Sequence, residues 1–203
     1  MRHVLRVLSC VALTLGPALS LHAAEGKPDD EGFIRDWLML APASIPEGSG
    51  QDEIDKKQIP NEPAIKPKAG QKQKVGDKEL EWRVYTAPDY HVDFNKAIGS
   101  DNEDVVGYLV AYLACDKEMT DLTLLMGSND QAKVYLNGKE VLKNGDGRTL
   151  DKDTDKADKL TLNKGVNVLV FKVINEKNNW EGCLRFKDKD GKAVTNYTVR
   201  LDP

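Results

Sequence analysis

The chain of 203 residues carries 29 Lys and Arg against 33 Asp and Glu, a net charge of −4, and a mean hydropathy of −0.51. Mild acidity with finely interleaved signs (KDKDGK, DKDTDKADK) excludes a nucleic-acid surface, which needs a basic excess. Of three histidines, His3 and His22 precede residue 25, so multi-histidine metal centres are excluded and any Ser-His-Asp chemistry must run through His91.

The first 24 residues read as a signal peptide. Arg2 and Arg6 give a positive start, VLSCVALTLGPALSL (7–21) is an apolar run, and Ala23 and Ala24 offer the cleavage site. The run is too short, and too interrupted by Gly16 and Pro17, for a membrane anchor. The expectation is an exported protein, periplasmic or secreted, with no membrane span after cleavage. Loss of Arg2 and Arg6 takes the basic residues from 29 to 27 against 33 acidic ones, a net charge of −6.

Residues 25–32 are polar and are expected to be a flexible terminus. FIRDWLMLA (33–41) reads as a first strand closed by Pro42. From 42 to 79 the texture changes: five prolines, many Lys, Glu and Gln, and no aromatic residue. Prolines deny ladder hydrogen bonds, so this is expected to be an insertion on the surface, outside the core. The rest reads as β throughout: ELEWRVYT (79–86), GYLVAYLAC (107–115), DLTLLMG (121–127), AKVYL (132–136), KEVL (139–142), KLTL (159–162), VNVLVFKVI (166–174), CLRFK (183–187) and NYTVRL (196–201). Turn-forming clusters separate these segments. Short strands at this spacing, with no run of helical period, predict an all-β fold over 33–203: an antiparallel β-sandwich of jelly-roll type.

In KVYLNGKEV (133–141), Ala132, Val134 and Leu136 alternate with Lys133 and Tyr135, which predicts one buried face. A two-residue hairpin connection requires positive φ at both central residues, and Asn137–Gly138 meets that demand. The dipeptide is therefore a fold signature and not a site. Cys115 and Cys183 follow the signal peptide into an oxidising compartment, where they are either one disulfide or two buried thiols.

The order of these phrases resembles a known family: DWLMLAP (36–42), GYLVAYLAC, LTLLMGSNDQAKVYLNGKEV (122–141), LTLNKGVNVLVFKVIN (160–175), then Trp180 ahead of LRFKDKDGKAV (184–194). The chain looks like a galactose-binding-like jelly-roll domain, similar to the carbohydrate-binding sandwiches attached to glycoside hydrolases, in the version found in exported proteins of planctomycete-type bacteria. The resemblance covers about residues 33–201, with 42–79 as an insertion. It implies the fold and, more loosely, a binding role toward a sugar or a neighbouring protein.

Sugar recognition needs exposed rings for stacking and planar amides and carboxylates for hydrogen bonds. Trp180 with Asn175, Asn178, Asn179 and Glu181 offers that chemistry, as do Asn129 and Asp130 before the hairpin and Tyr90–His91 in another loop. Each has a plainer reading: Trp180 as a ring capping the sandwich edge, Asn129–Asp130 as a turn, His91 as a loop residue. Asp151, Asp153 and Asp155 alternate and suggest a structural calcium, the sole cofactor candidate. Lys156 and Leu162 occupy the places where an EF-hand needs Gly and Glu, and interleaved lysines cancel the field. His91 beside Asp89 or Asp93 is the one starting point for a hydrolase, although no G-x-S-x-G is present and Ser100 lies in a polar loop. Asn196-Tyr-Thr is a glycosylation sequon in a predicted strand, without expected consequence. Three functions follow in order: an exported, non-catalytic carbohydrate-binding module; a scaffold domain packing on a separately encoded exported partner; and a hydrolase using His91.

Overall fold

A computed structural model describes residues 25–203 of the chain. The expected signal peptide lies outside the described residues. Thirteen strands and three short helical turns follow one another: β1 (Asp36–Ser44), α1 (Gly50–Glu53), a 3-10 turn (Glu62–Ala64), β2 (Lys72–Val75), β3 (Lys78–Glu81), β4 (Arg83–Thr86), β5 (Val92–Asp93), α2 (Phe94–Ile98), β6 (Val105–Cys115), β7 (Met119–Asn129), β8 (Ala132–Leu136), β9 (Lys139–Asn144), β10 (Asp155–Leu162), β11 (Gly165–Asn175), β12 (Glu181–Lys187) and β13 (Thr198–Arg200).

Eleven of the strands form an antiparallel jelly-roll sandwich, and β2 and β3 pair as a separate hairpin. One sheet has the order β4-β1-β6-β11-β8-β9, with β13 added beside β6 beyond the end of β1; the other has the order β10-β7-β12-β5. From β6 to β13 the chain crosses between the sheets at every connection except the β8–β9 hairpin, and α2 gathers with the β7–β8, β9–β10 and β11–β12 turns at one end. Between the sheets lies a core of alternate residues: Leu109, Ala111 and Leu113 from β6, Leu169, Phe171 and Val173 from β11, and Leu124, Met126, Leu184 and Phe186 from the facing sheet. Trp37 closes this core, its indole donating to the Ile34 carbonyl at 3.0 Å.

The outer face of the larger sheet is also apolar, and the segment expected on the surface covers it. Ile45, Ile54, Ile59, Ile65, Val75 and Trp82 pack onto Leu38, Leu40, Tyr108, Val110, Tyr112, Val168 and Val170. The proline-rich segment is thus a strap with a second core beneath it, correcting the expectation that it lies outside the core. Its prolines break ladders as expected, but its isoleucines remain free to bury side chains. The strap also buries Lys133 and Tyr135, so both faces of β8 are covered where one was expected.

A polar clasp sits at the centre of the strap. Lys172 occupies the middle of β11 and is 0 % exposed. Its ammonium donates to the carbonyls of Glu53 (3.0 Å), Ile54 (3.3 Å) and Lys56 (2.6 Å), where α1 ends, and faces Glu62 at 3.6 Å. Glu62, itself buried, accepts from the Tyr108 hydroxyl (2.7 Å), the Tyr135 hydroxyl (3.1 Å) and the Gln58 amide (3.1 Å). Burial pulls the Lys172 ammonium below its usual value despite the neighbouring carboxylate. Asp55 reaches across the edge to Lys133 (2.5 Å) and Lys143 (3.1 Å).

Other boundaries differ for local reasons. β1 runs through Pro42 to Ser44, with a register shift between Leu40 and Ala43 that lets a residue lacking N–H sit in the strand. The single strand expected at 79–86 is two, divided at buried Trp82. The segment 25–32 is tied down: Gly26 and Val199 exchange backbone hydrogen bonds at 2.8 and 2.9 Å. The hairpin tip has φ of 52° at Asn137 and 83° at Gly138, as its turn requires. Asn137 also stitches the hairpin to β11, accepting from the Val168 amide (2.9 Å) and donating to Asn167 (2.8 Å).

Cys115 and Cys183 are free, buried thiols in different sheets. The disulfide alternative is corrected by their faces: Cys115 ends β6 beside Asn167 in the core between the sheets, while Cys183 alternates with the core residue Leu184 in β12 and lies on the outer face beside Gly127. Burial pushes the Cys183 thiol up to about 12 and raises Cys115 as well, so both stay protonated and unreactive at neutral pH.

Candidate functional site

Helix α2 with the loop that follows it, and the turn between β11 and β12, enclose a polar cleft of about 760 Å3. Its walls carry four carboxylates, Asp93, Asp101, Glu103 and Glu181, and three amides, Asn95, Asn178 and Asn179, with Lys96 and Ser100 among them. A smaller cleft of about 300 Å3, lined by Asn129, Asp130, Arg148, Thr149 and Lys177, shares Asn178 and Asn179 with it.

The backbone that presents these groups is stiffened by side chains. Asp93 caps α2, accepting the Lys96 amide at 3.0 Å, and Gly99 ends it at a φ of 81°. Asn95 donates to the Asn178 carbonyl at 3.0 Å and accepts from the Asn102 amide at 3.1 Å, locking the α2 loop to the β11–β12 turn. Asn175 supports the same loop from below, donating to the Asn102 carbonyl at 2.5 Å. The DFNKAIG pattern, a capping Asp with Gly six residues on, is a helix signature that strand reading overlooked, and with it went Asn95, Lys96, Ser100, Asp101 and Glu103.

The expected site residues separate into three groups. Asn178 and Asn179 are exposed and line both clefts. Asn129, Asp130 and Asn175 are structural. Asp130 accepts from the amides of Arg148 and Glu176, each at 3.0 Å, across a cis peptide bond to Asn129. The Asn129 amide, turned so that its nitrogen faces the surrounding carbonyls, donates to Asn179 (2.9 Å) and Arg148 (3.1 Å). Trp180 is corrected as a stacking platform. It is 0 % exposed, stacks on Phe94 at 4.4 Å and donates its indole N–H to the Val173 carbonyl at 3.2 Å, so no ring face is open to a ligand. Gly107 makes room for this pair, since a Cβ there would stand 2.6–2.7 Å from both rings.

Tyr90 packs on Phe33 at 5.3 Å beneath the Lys152 ammonium, 4.0 Å above its ring. His91 faces Glu181, Nε2 to Oε1 at 3.7 Å, and stacks beside Tyr90 at 4.7 Å. Among the described residues no hydroxyl is hydrogen-bonded to His91, and the Asp89 carboxylate accepts the Tyr90 amide at 2.7 Å. The hydrolase arrangement of nucleophile, imidazole and orienting carboxylate is therefore not assembled there.

Two carboxylates of the calcium candidate are engaged by basic side chains. Asp153 is gripped by the Arg185 guanidinium, with Lys187 at 3.5 Å, while Asp155 is gripped by Arg148. Burial pushes the Asp153 carboxyl up, but the bond and charge of Arg185 outweigh it and hold the group below its usual range. These carboxylates diverge to arginines on different elements and do not converge on a cation.

The fold and site together define an antiparallel jelly-roll sandwich with a rigid polar cleft at one end. No family model matches the chain, and no curated protein matches it. Solved structures are similar at low identity. A PA14 sugar-binding domain from an RTX adhesin is 10 % identical with a TM-score of 0.45 over 84 % of this chain and 100 % of that one. A β-glucuronidase from Ruminococcus gnavus is 12 % identical with a TM-score of 0.44 over 93 % of this chain and 42 % of that one. A glycosyl hydrolase family 2 member from Bacteroides cellulosilyticus is 15 % identical with a TM-score of 0.41 over 81 % of this chain and 21 % of that one.

Proposed function

We propose that the protein is an exported, non-catalytic binding module that takes a glycan in the cleft between α2 and the β11–β12 turn. The observation carrying this reading is the chemistry of the cleft: acceptor carboxylates beside donor–acceptor amides, on a backbone already locked by Asn95 and Asn175. A hydroxyl-rich ligand satisfies such groups and an apolar one does not. With Trp180 buried, recognition runs through hydrogen bonds without ring stacking, so the affinity is weak, with a Kd of about 1 mM for a single saccharide unit. The four carboxylates also disfavour uronic or sulfated polymers and favour neutral or amino sugars.

No helix among the described residues is long and apolar enough to cross a membrane. The scaffold alternative called for an exposed apolar sheet face. The strap covers that face, and among the described residues Val84 (52 %) and Val166 (45 %) are the exposed large hydrophobics. Retention of the folded chain on a panel of insoluble polysaccharides tests the proposal; passage through every neutral and amino polymer overturns it.

A further inference from the structure

We propose that His91, Asp93 and Glu181 form a site for one divalent transition cation of the zinc class on the wall of the same cleft, a property that does not require a bound glycan. The three offer ligand atoms that all lie within 4.8 Å of one another. Ligand atoms around a tetrahedral zinc stand about 3.4 Å apart, so the longest separation must close by up to about 1.4 Å. The placement follows from the ladder. Val92 points into the core, so its neighbours His91 and Asp93 share the opposite side. Glu181 is the direct cross-strand partner of Asp93.

Two carboxylates set opposite one another repel unless a cation lies between them. Both are only 17 % exposed, and the imidazole is 18 % exposed. Among the described residues the His91 ring is the one basic side chain that faces Glu181, at 3.7 Å. Asp93 is countered by Lys96 at 2.9 Å, a side chain 82 % exposed. Solvent screens such a surface pair, so Lys96 yields readily to a divalent ion. The other Asp93 oxygen already accepts the Lys96 amide, the kind of outer contact that aims a ligating carboxylate. His91 Nδ1 is buried without a protein partner, which leaves Nε2 as the nitrogen facing the carboxylates.

One imidazole and two carboxylates, with the remaining position open to the cleft, make a mixed nitrogen–oxygen set suited to zinc. Calcium and magnesium require six or more oxygens, which this corner does not supply.

The test titrates zinc chloride into the untagged full chain at neutral pH, with calorimetry for affinity and 1H–15N correlation of imidazoles for location. The expected result is one zinc per chain, with the imidazole signal that is absent from His91→Gln shifting on titration. Affinity falls at least about tenfold in His91→Gln and in Glu181→Gln and rises in Lys96→Met, which removes the competing charge. If a variant loses its fold by circular dichroism, the wild-type imidazole shift decides. No binding below about 100 µM zinc, unchanged affinity in folded His91→Gln, or tighter binding of calcium than of zinc overturns the assignment.

Discussion

Replacing Glu62 by Gln removes the counter-charge of Lys172 while keeping the size of the side chain. Lys172 retains three carbonyl acceptors on the strap but loses the carboxylate that faces it, with only the more distant Glu53 left to oppose its charge. The new amide also turns one acceptor oxygen into a donor. Either Tyr108 and the Gln58 amide lose their acceptor, or Tyr135 and Lys172 lose theirs. Breaking a buried pair from one side costs about 3–5 kcal/mol, a large fraction of a typical domain's stability of about 5–15 kcal/mol. Lys172→Met is costly in turn, because it leaves Glu62 without its cation and the carbonyls of Ile54 and Lys56 without that donor, while the Glu53 carbonyl keeps the Lys56 amide. In the double variant the uncompensated charges vanish together, so its loss falls short of the summed single losses by about 1.5 kcal/mol or more. Urea unfolding with linear extrapolation reads all four proteins. A Glu62→Gln loss under about 1 kcal/mol, or single losses that add within about 0.5 kcal/mol, would refute the clasp.

Two further outcomes follow from the same contacts. The Asp153 carboxyl is held below its ordinary value, so its ion pair with Arg185 stabilises the fold above pH 4 and is lost as pH falls through the depressed value. Asp153→Asn therefore costs about 1–2 kcal/mol at pH 7, a difference that shrinks on acidification below about pH 4; a gap that is constant with pH contradicts this. The native thiols, protonated and buried, react with a thiol reagent only as fast as the protein opens, and reducing agent leaves Tm unchanged. A fall in Tm on reduction would restore the disulfide.

The sandwich was legible because its signals are local. AKVYLNGKEVL alternates, turns on Asn-Gly and alternates again, and β8 and β9 form there. The strap was illegible as a cover because four isoleucines and one valine scattered among Lys, Glu and Pro have no period to detect. A clue did exist: Lys172 stands in the middle of a strand apolar on both faces, and a charge so placed needs a partner from elsewhere in the chain. The cleft was half legible. Asn178 and Asn179 stand out as an amide-rich turn, but the opposing wall comes from α2, more than seventy residues earlier, and only the fold joins them. Trp180 misled as a ligand because a loop tryptophan looks exposed until Phe94 and Gly107 are seen beneath it.

The central claim is that a glycan occupies the cleft, and backbone amide mapping tests it most directly. Oligosaccharide from a retained polymer is titrated into labelled protein. The account predicts shifts grouped at residues 93–103 and 176–181, weakened by Asn178→Ala and Asn179→Ala, with the strap unmoved. Shifts gathered instead on the strap, or at the opposite end around residues 117–122 and 188–196, would contradict it.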